Sequence, residues 1–198
     1  EAVERSVGFF LLTAAAPILA VAGAIVAVLS GRSPLVAHMR VGQHQTPFWM
    51  LKLRTMWTAE PALERERGWI ERIVAEPEGQ NKATDDGRVT SRFAAFCRRH
   101  SIDELPQLWH VFRGEMSLVG PRPLTRGEID RYIGADAAEL LSRKPGLTGL
   151  WQISGRSAVP FPRRAALDLQ LVRSLTPGVY WKILLRTIPA LIHGRGAW

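Results

Sequence analysis

An uncharged and strongly apolar run near the start of the chain constrains its fold more than any other sequence feature. Residues 6–31 contain no Asp, Glu, Lys or Arg, and residues 7–29 read VGFFLLTAAAPILAVAGAIVAVL. A helix of these 23 residues would be about 35 Å long at about 1.5 Å per residue, enough to cross a hydrocarbon core of about 30 Å. Because the run is apolar on every face, it predicts a membrane-inserted helix.

Two other interpretations of the run fit less well. A secretory signal peptide begins with basic residues and has a shorter core, whereas Glu1 and Glu4 precede this run and Arg32 follows it. A buried core helix would rarely stay uncharged over so many residues in a small domain. By the positive-inside rule, the basic chain from Arg32 onward is expected on the cytoplasmic side.

Pro17 lies near the middle of the run and predicts a kink, because proline removes a backbone hydrogen bond and clashes with the preceding turn. A kinked helix can cross the bilayer with a bend, or it can enter and return to the same face as a re-entrant hairpin. We expect the re-entrant course, with residues 1–34 as the membrane-inserted unit and residues 35–198 as a small cytoplasmic domain.

The charge balance indicates a polyanionic partner. Among 198 residues, 26 Lys and Arg against 18 Asp and Glu leave a net charge of +8, which suits nucleic acid, anionic lipid or a phosphorylated substrate. The length suits one compact domain. Cys97 is the single cysteine, which excludes an internal disulfide and a cysteine-cluster metal site and agrees with a reducing compartment.

The rest of the chain predicts a mostly helical α+β domain. Short apolar runs around a Gly/Pro-containing turn predict a hairpin over residues 35–55, and the charged stretch 60–80 predicts a solvated helix and loop. Helices are predicted over residues 92–99, 103–112, 135–142 and 163–175. The last segment, WKILLRTIPALIHGRGAW, is basic and amphipathic, so it suits either a membrane surface or a plain core-facing helix.

The strongest candidate for chemistry is the acidic pair Asp103 and Glu104, at the predicted start of a helix. Ser101 is expected to cap that helix, and acidic residues there can be simple helix stabilisers. The surrounding basic residues favour a functional role for the pair, because Arg98 precedes it and Arg122 follows the helix in a rigid Pro-Arg-Pro turn that can present a guanidinium to phosphate. A carboxylate pair among arginines suits one acid as a nucleophile towards phosphorus and the other as a holder of Mg²⁺.

Four motifs carry a resemblance to a known family. They are SIDELPQLWHVFRGEMSLVGPRP at residues 101–123, KLRTM at 52–56, DGRVT at 86–90 and KPGLTGLWQISGR at 144–156. In their order along the chain these motifs resemble the bacterial sugar transferases, the monotopic phosphoglycosyl transferases that start glycan assembly on polyprenyl phosphate. The resemblance covers nearly the whole chain, the apolar run included.

The resemblance implies a reaction and a set of site residues. A sugar 1-phosphate would pass from a nucleotide-activated sugar, normally a UDP-sugar, to undecaprenyl phosphate by a ping-pong route that initiates exopolysaccharide, O-antigen, capsule or glycoprotein assembly. Asp103 would form the covalent phosphosugar intermediate, and Glu104 would hold Mg²⁺ on the diphosphate. Further residues that the resemblance puts at phosphate groups, or in or beside the pocket, are Lys52, Arg88, Arg98, Arg122, Gln152, Arg156 and Asp168.

The resemblance also implies the bacterial inner membrane, with the catalytic domain on its cytoplasmic face, and a nucleotide sugar, a polyprenyl phosphate and the lipid bilayer as partners. Nucleic acid is not expected, because it would leave the apolar run without a purpose; a homo-oligomer is left open. The alternative function is a non-catalytic membrane-anchored scaffold for glycan-assembly enzymes.

Leu171 and Tyr180 depart from the family's pattern, standing where aromatic and acidic residues are common. The start at Glu1 without Met favours a chain trimmed from a longer one.

Overall fold

The fold is described by a computed structural model that covers residues 1–57, 68–73 and 91–193. The DGRVT motif with Arg88 lies outside the described residues, as does most of the helix and loop predicted over residues 60–80. Within that stretch the described residues Ile70–Ile73 form a strand instead of a helix. The strand is stabilised by pairing with a distant segment, and a local charge pattern does not reveal such a pairing.

The apolar run forms one long helix, α1 (Ala2–Ser30). It continues through Pro17 and ends at Gly31, whose φ of 64° is the left-handed conformation in which glycine commonly closes helices. The helix is long and apolar enough to cross a membrane, and only 17% of its most apolar window is buried against the rest of the protein. A core helix would be mostly buried, so the structure favours membrane association; the re-entrant course stays a prediction.

One narrow seam of α1 packs against the domain along most of the helix. Its buried residues are Gly8, Ala15, Ala22 and Val26, whose spacings of seven and four residues put them on one side. Glycine is required at residue 8, because a Cβ there would lie 2.9 Å from Cγ1 of Val111. The helix therefore lies alongside the domain, and its other faces expose large apolar side chains, among them Phe10, Val21 and Val28.

The predicted N-terminal hairpin is confirmed. Strands β1 (Leu35–Val41) and β2 (Pro47–Leu53) pair antiparallel around the 3₁₀ turn Gln43–Gln45. Strand β3 (Ile70–Ile73) pairs with β1 in parallel, which gives the order β2-β1-β3. β2 is therefore an edge of this sheet within the described residues, and its free side is available to the elements that follow.

The acidic pair lies in a helical region that has a break. Helix α2 (Arg92–Arg99) is followed by a 3₁₀ helix (Ile102–Gln107), here called the acidic segment, and then by α3 (Leu108–Arg113). The single α-helix predicted here is wrong over its first half. Pro106 lies inside the acidic segment and has no N–H to donate to the carbonyl four residues earlier. Ser101 is not a cap either, because its φ of 55° is left-handed and its side chain makes no capping hydrogen bond.

The C-terminal half is a small parallel sheet with helices around it. Strands β4 (Ser117–Val119) and β5 (Gly146–Thr148) form the sheet. The helices are α4 (Arg126–Tyr132), α5 (Ala137–Leu140), α6 (Leu150–Ile153), α7 (Phe161–Ser174) and α8 (Pro177–His193). α5 and α7 confirm predicted helices, although α5 is shorter than expected. The mostly helical α+β class is confirmed.

Helix α8 uses two faces differently. Its inner face buries Ile183, which packs with Val119 and Leu171. Its outer face leaves Trp181 60% and Leu185 64% exposed. The two alternatives left open for this segment therefore apply to different faces, since one face packs on the core while the other suits a membrane surface.

Candidate active site

The acidic segment lies against the free edge of β2. Lys52, near the end of that strand, reaches across to Glu104, with Nζ 3.2 Å from Oε1. Both side chains are partly buried, so their attraction is screened less than that of a fully exposed pair. The hairpin thus delivers a cation to the acidic pair, a contact between residues 52 positions apart in the chain.

Asp103 is nearly enclosed, with 9% of its surface exposed. Burial, together with the negative charge of Asp103, raises the pKa of the neighbouring Cys97 thiol to about 11. Arg98, beside Cys97 in the last turn of α2, is also buried. A partly desolvated carboxylate near cations can act as a nucleophile or help to hold a metal ion.

A second group of polar residues surrounds Asp168 of α7, which is 1% exposed. Burial raises the pKa of this carboxyl to about 7, although the backbone N–H of Arg122 donates to it and the guanidinium groups of Arg122 and Arg164 attract its charged form. The same two guanidinium groups lie over the Trp151 ring, at 5.4 and 5.1 Å from its centroid. We call Arg122, Trp151, Arg164 and Asp168, together with Gln152, which follows Trp151 in α6, the arginine cluster.

Several buried atoms of the arginine cluster have no hydrogen-bond partner among the described residues. They are Nε of Arg122, Nε1 of Trp151, Oε1 of Gln152 and Oδ1 of Asp168. Buried polar groups in folded proteins are nearly always hydrogen-bonded to protein, ligand or water, because leaving one unsatisfied costs about 1–3 kcal/mol. The cluster therefore offers both donors and acceptors to a polar ligand.

The structure divides the site residues expected from the sequence into two groups. Lys52, Asp103 and Glu104 meet at the acidic segment, Arg156 contacts Ser101 at its start, and Arg122, Gln152 and Asp168 belong to the arginine cluster. Arg88 is outside the described residues. Gln152, in α6, belongs to the arginine cluster, and Arg156, just after α6, contacts the start of the acidic segment. Residues 152–156 therefore connect the two groups.

His110 supports the acidic segment and was not singled out by the sequence. Its Nε2 accepts the backbone N–H of Leu51 at 3.1 Å, and its Nδ1 lies 2.6 Å from a carboxylate oxygen of Glu115. Accepting at Nε2 requires the neutral ring with its proton on Nδ1. Burial lowers the pKa of His110 more than the Glu115 carboxylate raises it. His110 is therefore a neutral bridge between β2 and α3, which fixes the edge that carries Lys52.

This bridge predicts a pH dependence of stability. Because the folded pKa of His110 lies below its unfolded value of about 6.5, its contribution is present above that pH and is lost as the pH falls below it. Asp168 acts in the opposite direction, since its raised pKa lets the folded state bind a proton more readily. Because His110→Gln removes the His110 contribution alone, we expect the melting temperature at pH 5.5, relative to that at pH 7, to be higher in this variant than in the wild type, as measured by circular dichroism. An unchanged difference between the two pH values in that variant would contradict the neutral bridge.

The acidic pair also suits a divalent cation. Within the described ranges, no three His, Cys, Asp or Glu side chains converge into a cage for a metal ion. Mg²⁺ does not need such a cage, because it usually keeps several waters and binds one or two carboxylates together with substrate phosphates. The donor set of Glu104 with Asp103 fits this mode of binding.

An apolar helix laid along a small α+β domain, with an acidic pair and a cluster of arginines in that domain, suits the class of membrane-associated transferases. The chain belongs to the bacterial sugar transferase family, whose family model matches residues 1–194. The resemblance carried by the four motifs is therefore confirmed, and it extends over α1 as well as the domain.

Relatives of known name agree with this membership. The chain is 39% identical over 183 residues to the exopolysaccharide production protein ExoY of Rhizobium meliloti, which covers 92% of this chain and 80% of that protein. It is 38% identical over 169 residues to the undecaprenyl-phosphate galactose phosphotransferase of Salmonella typhimurium, covering 85% of this chain. It is 39% identical over 191 residues to the UDP-glucose:undecaprenyl-phosphate glucose-1-phosphate transferase of Caulobacter vibrioides, covering 92% of this chain. The chain spans 35% of the Salmonella protein and 66% of the Caulobacter protein.

Proposed function

We propose that this chain transfers a sugar 1-phosphate from a nucleotide sugar, normally a UDP-sugar, to undecaprenyl phosphate and so initiates glycan assembly. The observation that carries the proposal is the acidic pair, in which Asp103 is nearly enclosed and Glu104 is ion-paired with Lys52. The names of the Salmonella and Caulobacter relatives support the same reaction class.

In the first half-reaction, a carboxylate oxygen of Asp103 attacks the sugar-bearing phosphorus. A new P–O bond forms to Asp103, and the bond from that phosphorus to the bridging oxygen breaks. The nucleoside monophosphate leaves with the bridging oxygen and its electron pair, and an aspartyl phosphosugar remains on the protein. The nucleophile and the diphosphate are both anionic, so nearby cations are needed to lower their repulsion.

In the second half-reaction, an oxygen of the lipid phosphate attacks the same phosphorus. The bond between phosphorus and Asp103 breaks, the carboxylate is regenerated, and the sugar phosphate is left on the lipid as a diphosphate. Asp103 is therefore first the nucleophile and then the leaving group, which gives ping-pong kinetics.

The arginine cluster is the proposed phosphate-binding part of the site. A guanidinium matches the geometry of a phosphate, and Nε of Arg122 is buried without a partner among the described residues. Gln152 and Asp168 add acceptors to the same cluster. Lys52 contributes further positive charge at the acidic pair, and Arg98, buried in the last turn of α2, is proposed to add to it.

Mg²⁺ is the proposed cofactor, with Glu104 as its protein ligand. When bound, the ion would neutralise charge on the donor diphosphate. Lys52 holds the Glu104 carboxylate towards the edge of β2 and supplies positive charge beside it.

We expect Glu104→Gln to weaken the dependence on Mg²⁺, because an amide binds the cation less strongly than a carboxylate. The Mg²⁺ concentration that gives half-maximal release of the nucleoside monophosphate should rise by about tenfold. Glu139→Gln is the matched control, since that carboxylate is exposed on α5 and pairs with Arg173. An identical Mg²⁺ titration in Glu104→Gln and wild type would remove Glu104 from the metal site.

The packing of α1 supports a monotopic arrangement, in which the chain enters one leaflet and both helix ends stay on one side. At the N-terminal end, Glu4 Oε1 accepts from the Ser117 hydroxyl at 2.5 Å, from the Leu118 N–H at 2.7 Å and from the Tyr180 hydroxyl at 2.7 Å. Just beyond the other end, Arg54 Nε donates to the Ser33 carbonyl oxygen at 2.7 Å. A helix held to one domain at both ends and along its seam cannot stand upright across a bilayer without drawing that domain into the lipid.

This arrangement suits the cytoplasmic face of the bacterial inner membrane. The outward apolar faces of α1 and α8 would enter the lipid, and the net charge of +8 would draw the domain to anionic headgroups. A soluble donor and a lipid-borne acceptor would then meet at the same surface.

The proposal is tested by incubating the protein in nanodiscs with undecaprenyl phosphate and a panel of UDP-sugars. Release of UMP and a mass increase equal to the phosphosugar support the reaction and identify the sugar. Absence of both across the panel would overturn the proposal and favour the alternative, a non-catalytic scaffold.

A further inference from the structure

Arg156 lies where three segments of the chain meet. Its Nη1 donates to the carbonyl oxygens of Arg99 and Ala190, each at 3.4 Å, and its Nη2 donates to the hydroxyl of Ser101. Arg99 is the last residue of α2, Ser101 leads into the acidic segment, and Ala190 lies near the end of α8. One guanidinium group thus links the nucleophile-bearing segment to α8.

Both residues of the central contact have unusual backbone conformations. Ser101 has a φ of 55° and Arg156 has a φ of 54°, and neither is glycine. Such left-handed residues are stable only where their surroundings hold them. Ser101 also sets the course of the chain into the acidic segment, since its carbonyl oxygen accepts the N–H of Glu104 at 3.1 Å. Asp103 lies in the chain between Ser101 and Glu104, so its position depends on the turn that this hydrogen bond closes.

We propose that Arg156 is a positioning residue that holds the Ser101 turn, and thereby aims Asp103 at the sugar-bearing phosphorus, instead of binding substrate phosphate. The proposal rests on the transfer reaction proposed above. Both terminal nitrogens of Arg156 already donate to protein acceptors. The second anchor of this link is α8, whose outer face is apolar and exposed, so the same guanidinium ties the nucleophile to a helix suited to the lipid surface.

Steady-state kinetics separate a positioning role from a phosphate-binding role. Arg156→Met removes the guanidinium group and keeps a long apolar side chain. We expect kcat for UMP release to fall by about 100-fold, the effect of misplacing a reacting group by about 1 Å, with the donor KM unchanged. A phosphate ligand would instead raise the donor KM, and that result would overturn the proposal. Arg163→Met, an exposed position on α7, is the matched control and should keep wild-type kinetics.

A double-mutant cycle tests whether Arg156 acts through Ser101. Ser101→Ala should lower kcat in the same way, and the double variant should be no slower than Arg156→Met alone, because both changes remove one contact. Arg156→Lys, which keeps one charged donor, should recover part of the rate. Additive losses in the double variant would show that Arg156 and Ser101 act separately and would overturn the proposal.

Hydrogen exchange supplies a readout that needs no substrate. In the full chain in nanodiscs, Arg156→Met should speed exchange of the Glu104 amide by about tenfold through loss of the Ser101 turn, while Arg163→Met should not. Unchanged exchange in Arg156→Met would overturn the positioning role even if the wild type is active. If the wild type is inactive but the Glu104 amide exchanges faster in Arg156→Met, the transfer reaction is rejected. The structural link between Arg156 and the Ser101 turn is then still supported. If Arg156→Met does not fold, Arg156→Lys and Ser101→Ala carry the same comparisons.

Discussion

Replacement of Asp103 by Asn is expected to abolish sugar-phosphate transfer while leaving the fold intact. The amide has nearly the shape of the carboxylate but no anionic oxygen to attack phosphorus. UMP release should fall by roughly 1000-fold or more, as expected when a covalent nucleophile is removed. The phosphosugar adduct should be absent from the intact-mass spectrum under conditions in which the wild type accumulates it.

Two further measurements make this variant decisive. The thermal unfolding midpoint should stay near that of the wild type, and Asp130→Asn, an exposed Asp on α4, should keep full activity. The pKa of the Cys97 thiol should also fall in Asp103→Asn, because the charge of Asp103 helps to raise it. An active Asp103→Asn protein, or one that still forms the adduct, would reject Asp103 as the nucleophile.

Replacement of Gly146 by Ala is expected to cause the largest loss of stability. The end of β4 and the start of β5 approach so closely that a Cβ on Gly146 would lie 2.0 Å from the backbone nitrogen and 2.6 Å from the Cα of Gly120, the residue after β4. These are backbone atoms, so the strands must separate, at a cost of about 3 kcal/mol. The melting temperature should fall by roughly 10 °C for a chain of this size.

Strand β4 leads through Gly120 into the Pro-Arg-Pro turn, so Gly146→Ala should also weaken phosphate binding by displacing Arg122. The donor KM should rise in any protein that remains folded. Gly178→Ala is the control, because a Cβ there would meet only Thr176 Oγ1, at 4.0 Å, and alanine favours a helix over glycine. A Gly146→Ala protein that melts with the wild type would show that the two strands do not need this close contact.

Patterns that lie within a few residues of one another predicted much of the fold. The uncharged run predicts α1 because a helix without any polar face has few places to lie outside lipid. The apolar spacing of Leu167, Leu171 and Leu175 likewise predicts α7, with Leu171 fully buried. The three-residue strands β4 and β5 cannot be predicted in this way, because so short a segment shows no hydrophobic periodicity of its own. Each is stabilised by pairing with the other strand.

The arginine cluster shows why part of the site needed the tertiary structure. The resemblance to the family implies Arg122, in one of the motifs, and Asp168, outside them, but not Arg164, which lies in a helix whose apolar spacing explains its sequence. Arg164 lies next to Asp168 because the two residues are one turn apart on α7, but only the packing of α6 on α7 brings the Arg164 guanidinium to the Trp151 ring. Tyr180 is a similar case: its departure from the family's pattern has a structural counterpart in the hydrogen bond to Glu4, 176 residues away in the chain.

The sequence by itself determined that this protein has an apolar helix long enough to cross a membrane, a mostly helical α+β domain and the motifs of the bacterial sugar transferases, because hydrophobic period and motif spacing are local properties. Only the tertiary structure decided that α1 lies along the domain, that Lys52 meets Glu104 and that the Arg156 guanidinium contacts Ser101. These contacts join residues far apart in the chain, and their geometry is set by how whole elements pack, which no local pattern encodes.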